Sequence, residues 1–310
     1  MRTPLHWIAL FLGVLVAVPF AAEAALRLYA SYVTKRDRLF RSDAQTGWSN
    51  APNLLATRIN AAGKEWSIRT DQNGQRVTAQ DPRAGRKILI LGDSLSFGEG
   101  IEIKDRFDVK MLSSLPDTRV VNTGTMGYGT DQEYMAFQNW KHVLEPGDTV
   151  LIMLNQSDYF DVLRRRFFGR AKPYLEEVDG SYVLRPPVIG VWERWSDWSR
   201  VASVVARLIE PSASESLDPR QSIEIIRFIL GRIREEVPGG VRVALAHQGT
   251  RDFLGPRLGL SSTIFCEFAD VCIDLDDALA ADPAHLLPDG HWSASGHMAV
   301  AQVLLKALRD

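Results

Sequence analysis

Two short motifs carry the residue types that nucleophilic catalysis needs. Gly-Asp-Ser94 directly follows the apolar run 87–91, and Asp289-Gly-His291 precedes the last helical pattern of the chain. A serine hydroxyl becomes a nucleophile when an imidazole takes its proton, and a carboxylate commonly holds that imidazole in place. Either motif alone is common in turns. Together they predict Ser94 as the nucleophile, His291 as its base and Asp289 as the partner of the imidazole.

The elements that would position these motifs alternate along residues 86–310. Compact apolar runs predict strands at 87–91, 120–121, 149–154, 241–246 and 271–273. Amphipathic stretches predict helices at 105–115, 131–142, 219–235 and 293–308. Such alternation gives right-handed crossovers and a parallel sheet covered on both faces, with reactive groups beyond the carboxyl ends of the strands. We expect an α/β fold, a flavodoxin-like three-layer sandwich with a central parallel sheet of about five strands.

The first 33 residues have a different character. From Trp7 to Ala22 the chain has no charged or strongly polar residue. A signal-peptide core needs roughly 7–15 apolar residues and a bilayer span roughly 20, so this run falls between the two. Continuation of the helix to Val33 favours a retained signal-anchor over residues 1–33, whereas Ala22-Glu-Ala24 suits cleavage of a secreted protein. Both alternatives export the rest of the chain, although the basic residues after the segment favour the opposite orientation.

Two further segments lie outside the alternating pattern. Residues 34–85 are polar and rich in turn signals, and they predict a lead-in with a small hairpin that packs on the main domain. Residues 160–215 predict an insertion near the active face, in which Arg164-Arg-Arg166 is expected to form a solvated or membrane-facing surface. The insertion also contains Trp192, Trp195 and Trp198. Their three-residue spacing favours a buried stripe on a short helix over stacking on sugar rings.

The charge balance and the cysteine count narrow the function classes. The chain has 36 basic and 38 acidic residues and a formal net charge of −2, so we expect no nucleic-acid partner. Six histidines and two cysteines lack the paired spacing of a zinc site, and we expect neither a metal nor a cofactor. Cys266 and Cys272 suit a disulfide in an oxidising compartment and would be two buried thiols in the cytoplasm.

Three ordered blocks resemble the GDSL, or SGNH, hydrolase family and together cover most of residues 86–310. They read LILGDSLSFGEG over 89–100, VVNTGTMGYGTDQ over 120–132 and DGHWSASGH over 289–297. The resemblance implies the fold expected above and the triad of Ser94, Asp289 and His291, and it places Gly127 in the oxyanion hole. The Asp-x-His-Trp spacing is similar to that of membrane-associated and polysaccharide-acetylating branches of the family.

One block departs from the family pattern. The family usually ends its third strand with Gly-x-Asn-Asp, in which the asparagine completes the oxyanion hole, whereas this chain has Leu154-Asn-Gln-Ser-Asp158. Alignment on the aspartate puts Ser157 at the donor position, and alignment by residue type favours Asn155. Loss of one preorganised donor costs about 3 kcal/mol of transition-state stabilisation. The identity of the donor therefore bears directly on how active the site is.

The resemblance implies serine-dependent hydrolysis of O-acyl esters, with O-acetyl groups on a cell-envelope or exported polysaccharide as the expected substrate. It also implies a domain tethered by the N-terminal helix to a bacterial-type cytoplasmic membrane, facing the periplasm or exterior and working beside envelope polysaccharide machinery. Secretion after signal cleavage is the alternative location. An O-acetyltransferase would use the same triad with a sugar hydroxyl in place of water. A catalytically weak carbohydrate-binding or assembly component is the third alternative, because the third block is altered.

Overall fold

The computed structural model describes residues 4–30, 39–76, 85–167, 169–209, 218–249 and 261–309. The strands, in chain order, are β1 (Phe40–Asp43), β2 (Gly47–Asn50), β3 (Leu55–Ile59), β4 (Glu65–Arg69), β5 (Arg86–Leu91), β6 (Thr118–Asn122), β7 (Thr149–Asn155), β8 (Arg166–Phe167), β9 (Arg170–Ala171), β10 (Tyr174–Val178), β11 (Ser181–Arg185), β12 (Arg242–Gln248) and β13 (Val271–Asp274). The α-helices are α1 (Pro4–Leu28), α2 (Ser94–Phe97), α3 (Phe107–Leu112), α4 (Thr130–Trp140), α5 (Asp158–Asp161), α6 (Val191–Ser196), α7 (Arg200–Ile209), α8 (Pro219–Glu236), α9 (Asp276–Ala280) and α10 (Ala294–Leu308).

Five parallel strands form the central sheet, in the order β13-β12-β7-β5-β6. Successive side chains of a strand point to opposite faces, so apolar runs such as 88–91 need cover on both sides. Leu89 and Leu91 pack in a buried layer with α4 and α8, and Ile88 and Ile90 pack in another with α3 and α10. The expected α/β sandwich with five parallel strands is confirmed.

The helix expected over 105–115 is shorter than the pattern predicts. A 3₁₀ turn covers Ile103–Asp105, and α3 begins only at Phe107, because Arg106 has an extended backbone (φ −69°, ψ 142°). The buried guanidinium of Arg106 donates hydrogen bonds of 2.6 and 2.7 Å to the carboxylate of Asp108. This local buried pair accompanies the break between turn and helix, and hydrophobic periodicity carries no signal of it.

Residues 39–76 lie against the turn that carries the first motif. Strands β1 and β2 form one antiparallel pair, and β3 and β4 form a second. Trp66 and Ile68 of β4 share a small buried core with Phe97 of α2. The lead-in segment therefore packs apolar side chains against α2, the helix that begins at Ser94.

The insertion contains two short hairpins, β8–β9 and β10–β11, followed by α6 and α7. The expectation of a buried tryptophan stripe is wrong, because Trp192, Trp195 and Trp198 are 41%, 60% and 78% exposed. The inward side of α6 carries Glu193 and Ser196 instead, both of which are buried. Three-residue spacing thus places Trp192 and Trp195 together on the outer side of α6, and Trp198 is exposed just after the helix.

The arginine run at the start of the insertion is also not a plain solvated surface. Arg164 donates to Asp161 at 2.6 Å, and Arg166 donates to the buried carboxylate of Glu193 at 2.9 Å. The guanidinium of Arg165 lies 4.2 Å from the ring centroid of Tyr174. These three contacts tie the start of the insertion to α5, α6 and β10.

Helix α1 is apolar and exposed. Its residues His6–Leu28 form a 23-residue stretch that contains an 18-residue window with a mean hydropathy of 2.2, and the stretch is long and apolar enough to cross a membrane. A signal sequence near the N-terminus meets the same criterion. The helix therefore fits either of the two alternatives that the sequence left open.

Cys266 and Cys272 form a disulfide that links the 3₁₀ turn at Ser262–Phe268 to β13. Among the described residues, His247 and these two cysteines form the group whose side-chain donor atoms lie within 4.8 Å of one another. A metal is bound by thiolates rather than by disulfide sulfurs. In this state the group is a structural cross-link beside a buried histidine.

Candidate active site

The nucleophile motif forms a tight turn between β5 and α2. A Cβ atom at Gly92 would lie 2.1 Å from Ser96 Oγ, so no larger residue fits where the strand turns into the helix. Asp93 caps the helix, since its carboxylate accepts a hydrogen bond of 2.9 Å from the Leu95 backbone N–H. Gly98 ends the helix in the left-handed conformation (φ 75°). This turn presents the Ser94 hydroxyl at the carboxyl end of β5, next to the central strand β7.

The second motif forms a turn immediately before α10. Gly290 has a positive φ of 87°, and the Leu287 backbone N–H donates to the His291 carbonyl at 2.7 Å. The buried indole of Trp292 donates through Nε1 to Gln248 Oε1 at 2.7 Å, which ties the turn to the end of β12. The tryptophan of the Asp-x-His-Trp block therefore has a structural role, since its hydrogen bond holds the His291 turn against the end of β12.

The fold brings the two motifs into contact. His291 Nε2 lies 2.9 Å from Ser94 Oγ, which is hydrogen-bond distance for a base and its hydroxyl. His291 Nδ1 lies 3.2 Å from Asp289 Oδ2. That pair is close but poorly aligned, because Nδ1 makes no hydrogen bond of acceptable angle among the described residues. Asp289 also accepts from the His291 backbone N–H at 3.2 Å, so it orients the loop as well as the ring.

A second carboxylate reaches the same imidazole. Glu99 Oε2 lies 3.3 Å from His291 Nε2, the nitrogen that also faces Ser94. Burial raises the pKa of Glu99, and the charges of His291 and Arg58 lower it in part. In the sequence Glu99 lies five positions after the nucleophile, and nothing in the sequence pattern indicates that it reaches the histidine. The left-handed turn at Gly98 and the further positive φ of 85° at Gly100 swing Glu99 back over the site.

The two candidate oxyanion donors at the end of β7 differ in their surroundings. Asn155 is buried, and its Oδ1 accepts a hydrogen bond of 2.8 Å from the Ser157 backbone N–H, which fixes the orientation of the amide. Its Nδ2 makes no hydrogen bond of acceptable geometry among the described residues. Burial raises the pKa of the neighbouring Asp93, and the Leu95 backbone N–H and the Asn155 amide lower it in part. The Ser157 hydroxyl makes a long hydrogen bond of 3.5 Å to Asp93 Oδ2. Asn155 is the side chain with an unused donor.

Gly127 lies in the loop after β6. Its φ is 77°, and a Cβ atom there would lie 2.5 Å from the Phe167 ring, so both the backbone and the packing require glycine. The Thr125 N–H donates to the Gly92 carbonyl at 3.2 Å and ties this loop to the nucleophile turn. The loop therefore borders the turn that bears Ser94.

Behind the nucleophile turn lies a cluster of buried carboxyl groups that the sequence did not reveal. Glu133 on α4 is buried, and neither of its carboxylate oxygens has a hydrogen-bond partner among the described residues. Burial raises its pKa well above the ordinary value of 4.5, and the neighbouring Asp158, Asp93 and Asp131 raise it further. Asp131 itself pairs with the buried Lys172 at 2.8 Å. Glu133 therefore retains its proton well above the pH at which an exposed glutamate loses it.

Arg76 is a further residue with no sequence signal. It is buried and donates hydrogen bonds of 2.8 to 3.1 Å to four backbone carbonyls, those of Ser67, Phe97, Gly98 and Ile101. Two of these carbonyls belong to the end of α2. The side chain thus clamps the nucleophile helix to the lead-in hairpin.

A separate polar cavity of about 150 Å³ lies between the lead-in strands and the loop after β6. Its walls include Asn50, Asn122 and Thr125 but neither Ser94 nor His291. The candidate active site is therefore the contact between the serine and the histidine, and this cavity is separate from it.

No family model matches the chain, and no curated protein matches it. Solved structures do match. A lipolytic protein of the G-D-S-L family from Veillonella parvula is 13% identical with a TM-score of 0.41, and the match covers 73% of this chain and 99% of that one. A putative lipolytic protein of the same family from Desulfitobacterium hafniense is 13% identical with a TM-score of 0.45, covering 72% and 99%. An acetylxylan esterase from Geobacillus stearothermophilus, a catalytic mutant, is 18% identical with a TM-score of 0.41, covering 72% and 94%. The chain is similar to these proteins.

Proposed function

We propose that this chain is a serine esterase of the GDSL type that hydrolyses O-acyl esters, with Ser94, His291 and Asp289 as its triad. The observation that carries the proposal is the 2.9 Å contact between His291 Nε2 and Ser94 Oγ at the carboxyl end of the central strands. Reactive groups of open α/β sheets lie at that edge. A serine that only stabilised a turn would not need an imidazole nitrogen on its hydroxyl.

The mechanism follows from this geometry. His291 Nε2 takes the proton of Ser94, whose Oγ attacks the ester carbonyl carbon and forms a tetrahedral intermediate. The resulting oxyanion is stabilised by the Ser94 and Gly127 backbone N–H groups and by Asn155 Nδ2, a buried donor that makes no hydrogen bond within the part of the chain that the structure describes. The protonated imidazole then gives its proton to the leaving alcohol. Water attacks the acyl-enzyme by the same route in reverse and regenerates the serine.

The finer assignment concerns the substrate and the location. The Asp289-Gly-His-Trp292 block resembles the membrane-associated and polysaccharide-acetylating branches of the family, which favours O-acetyl groups on an envelope or exported polysaccharide. Helix α1 is long and apolar enough to cross a membrane. We infer a membrane-tethered enzyme whose catalytic domain faces the exterior, where the Cys266–Cys272 disulfide is stable.

Active-site labelling tests the proposal directly. A fluorophosphonate probe should modify a single peptide, and mass spectrometry should place the adduct on Ser94. The wild-type chain should hydrolyse p-nitrophenyl acetate, and Ser94→Ala should not, whereas Ser113→Ala, on an exposed helix end, should retain activity. Equal hydrolysis by wild type and Ser94→Ala would refute the esterase assignment.

A further inference from the structure

The insertion helices α6 and α7 expose an unusual density of large apolar side chains. Val204, Leu208 and Ile209 of α7 are exposed, as are the three tryptophans in and after α6. The opposite side of α7 carries the buried Ala202 and Ala206. A surface helix of a protein surrounded only by water turns its large apolar side chains inward and leaves its outward side polar. This outward surface of α6 and α7 is called the apolar shelf below.

The apolar shelf is attached to the end of α1. The Glu23 carboxylate accepts hydrogen bonds from the Ser199 hydroxyl at 2.8 Å and from the Arg200 and Val201 backbone N–H groups at 3.0 Å each, and so caps the start of α7. Arg27 donates to the Trp198 carbonyl at 2.7 Å. These contacts join two elements that are more than 170 positions apart in the chain. The shelf therefore has a fixed position along α1.

That position corresponds to the boundary of a bilayer. Glu23 lies five residues before Leu28, where the apolar stretch ends, and a helix rises 1.5 Å per residue, so the start of α7 lies about 8 Å inside the end of the stretch. Interfacial amphipathic helices bury their apolar side roughly 5–10 Å into the boundary between headgroups and acyl chains. Tryptophan is enriched at the same depth. The basic side chains of Arg194 and Arg207, both exposed, suit anionic headgroups.

We propose that the apolar shelf lies in the headgroup region of the membrane that α1 crosses, so that the catalytic domain is held flat against the lipid surface. The proposal rests on the membrane tether proposed above. It has a consequence for the site, because Phe167 at the start of the insertion packs on Gly127 in the loop that borders Ser94. The site would then face substrates presented at the membrane surface rather than in the bulk solvent.

Site-specific labelling in nanodiscs of phosphatidylcholine and phosphatidylglycerol tests the shelf. Both native cysteines are in the disulfide, so a new cysteine takes a fluorescent label selectively. We would label Leu208→Cys on the shelf, 75% exposed, Leu55→Cys on the lead-in hairpin, 78% exposed and the matched control, and Val14→Cys in the middle of α1. Quenching by spin-labelled lipid should be strong at 14, at least threefold stronger at 208 than at 55, and near background at 55.

The outcomes separate the shelf from the tether and from the chemistry. Strong quenching at 14 with equal, weak quenching at 208 and 55 overturns the shelf and leaves the tether. Weak quenching at all three overturns both. Hydrolysis of p-nitrophenyl acetate by each labelled variant reports the proposed esterase activity independently of where the label lies.

A second inference has its own observation, the contact of Glu99 with the catalytic imidazole. Hydrolysis of an acyl-enzyme needs a water molecule that gives one proton to His291 Nε2 while it attacks the acyl carbon on Ser94. The second hydrogen of that water needs an acceptor, and Glu99 Oε2 lies 3.3 Å from Nε2. One water that donates to both atoms at normal distances holds them about 4.5 Å apart. Glu99 and His291 side chains are 26% and 23% exposed, which leaves solvent access for the contact to open and admit water.

We infer that Glu99 is a catalytic residue of the second half-reaction, in which it orients the incoming water, or a polyhydroxyl acceptor with a neighbouring hydroxyl group. The proton to be transferred goes from the attacking oxygen to His291 and then to Ser94 Oγ as the acyl bond to serine breaks. Glu99 accepts only the hydrogen bond that is not transferred. The inference rests on the proposed function, since it presupposes the acyl-enzyme.

Pre-steady-state hydrolysis of p-nitrophenyl acetate tests Glu99→Met, which removes the acceptor at similar side-chain length, against Glu235→Met, a change at an exposed glutamate of α8. We expect the burst, which reports acylation, to keep its rate within about twofold in Glu99→Met, while deacylation slows about tenfold or more. Equal slowing of both steps, or unchanged deacylation, overturns the role of Glu99. Absence of a burst and of turnover in wild type would instead count against the esterase itself, so the two failures are distinct.

Discussion

The imidazole of His291 contacts the hydroxyl of Ser94 across 197 positions of sequence. The serine is placed by the turn after β5, and the histidine is placed by a turn that Trp292 ties to the end of β12. Both turns lie at the same edge of one parallel sheet. The contact is thus a result of strand order rather than of local sequence.

The triad should show unequal contributions. Ser94→Ala and His291→Ala should each lower kcat/KM for p-nitrophenyl acetate by about 10⁴-fold or more, because each removes a group that makes or breaks bonds. Asp289→Asn should have a smaller effect, about 10²-fold. The Asp289 side chain is 41% exposed, and its contact with Nδ1 is poorly aligned, so solvent already weakens its effect on the imidazole. Steady-state kinetics of the three variants checks this order.

The double variant Ser94→Ala/His291→Ala provides the control for that order. Because the two groups act as a unit, the double variant should be no slower than either single variant. An Asp289→Asn variant as inactive as Ser94→Ala would contradict the weak coupling that the geometry indicates.

The donor of the oxyanion hole can be identified by two single changes. Asn155→Ala should lower kcat by about 10²–10³-fold, since it removes a buried donor that has no hydrogen bond to any other described residue. Ser157→Ala should lower it by less than about tenfold, because that hydroxyl already contacts Asp93 at 3.5 Å. The measurement is kcat at saturating ester, with KM expected to change little in both. The reverse order would assign the donor role to Ser157.

Sequence patterns predicted the parts of the fold that repeat. Five apolar runs became the five strands of the sheet, and the helix expected over 219–235 is α8, which begins at Pro219 after the Asp218 cap. Periodicity detects these elements because burial on a sheet or helix face selects apolar residues at fixed spacing. The two turns that carry Ser94 and His291 are predictable as well, because the first directly follows the apolar strand β5 and the second directly precedes helix α10.

Hydrophobic periodicity carries no signal of the contacts that complete the site. Glu99 reaches His291 only because two glycines, Gly98 and Gly100, adopt positive φ values and reverse the chain. Arg76 and Glu133 look like ordinary charged residues in the sequence, yet both are buried. The tryptophans of the insertion were misjudged because three-residue spacing shows that they share a face but not which environment that face meets.

Arg76 should be important for stability although it is not part of the triad. Arg76→Met leaves four buried carbonyls without their donor, and we expect a loss of at least about 3 kcal/mol in the free energy of unfolding. Arg76→Lys keeps the charge but lacks the planar fork, so its loss should be intermediate. Urea denaturation measures both, with Arg69→Met, at an exposed position of β4, as the control. A loss no larger than that of the control would show that the clamp on α2 is dispensable.

Glu133 should make the stability of the protein fall as pH rises. Its pKa is raised in the folded state, so above the ordinary value of 4.5 the unfolded chain loses this proton while the folded chain keeps it. The wild type should therefore lose up to about 1.4 kcal/mol per pH unit from this group, until the folded pKa is reached. Glu133→Gln has no proton to lose, so its stability relative to wild type should increase as pH rises above about 4.5, until the folded pKa of Glu133 is reached. Urea denaturation at several pH values measures the difference, and Glu235→Gln, at an exposed site, should run parallel to wild type. If Glu133→Gln also runs parallel, the carboxyl group is not held protonated behind the nucleophile turn.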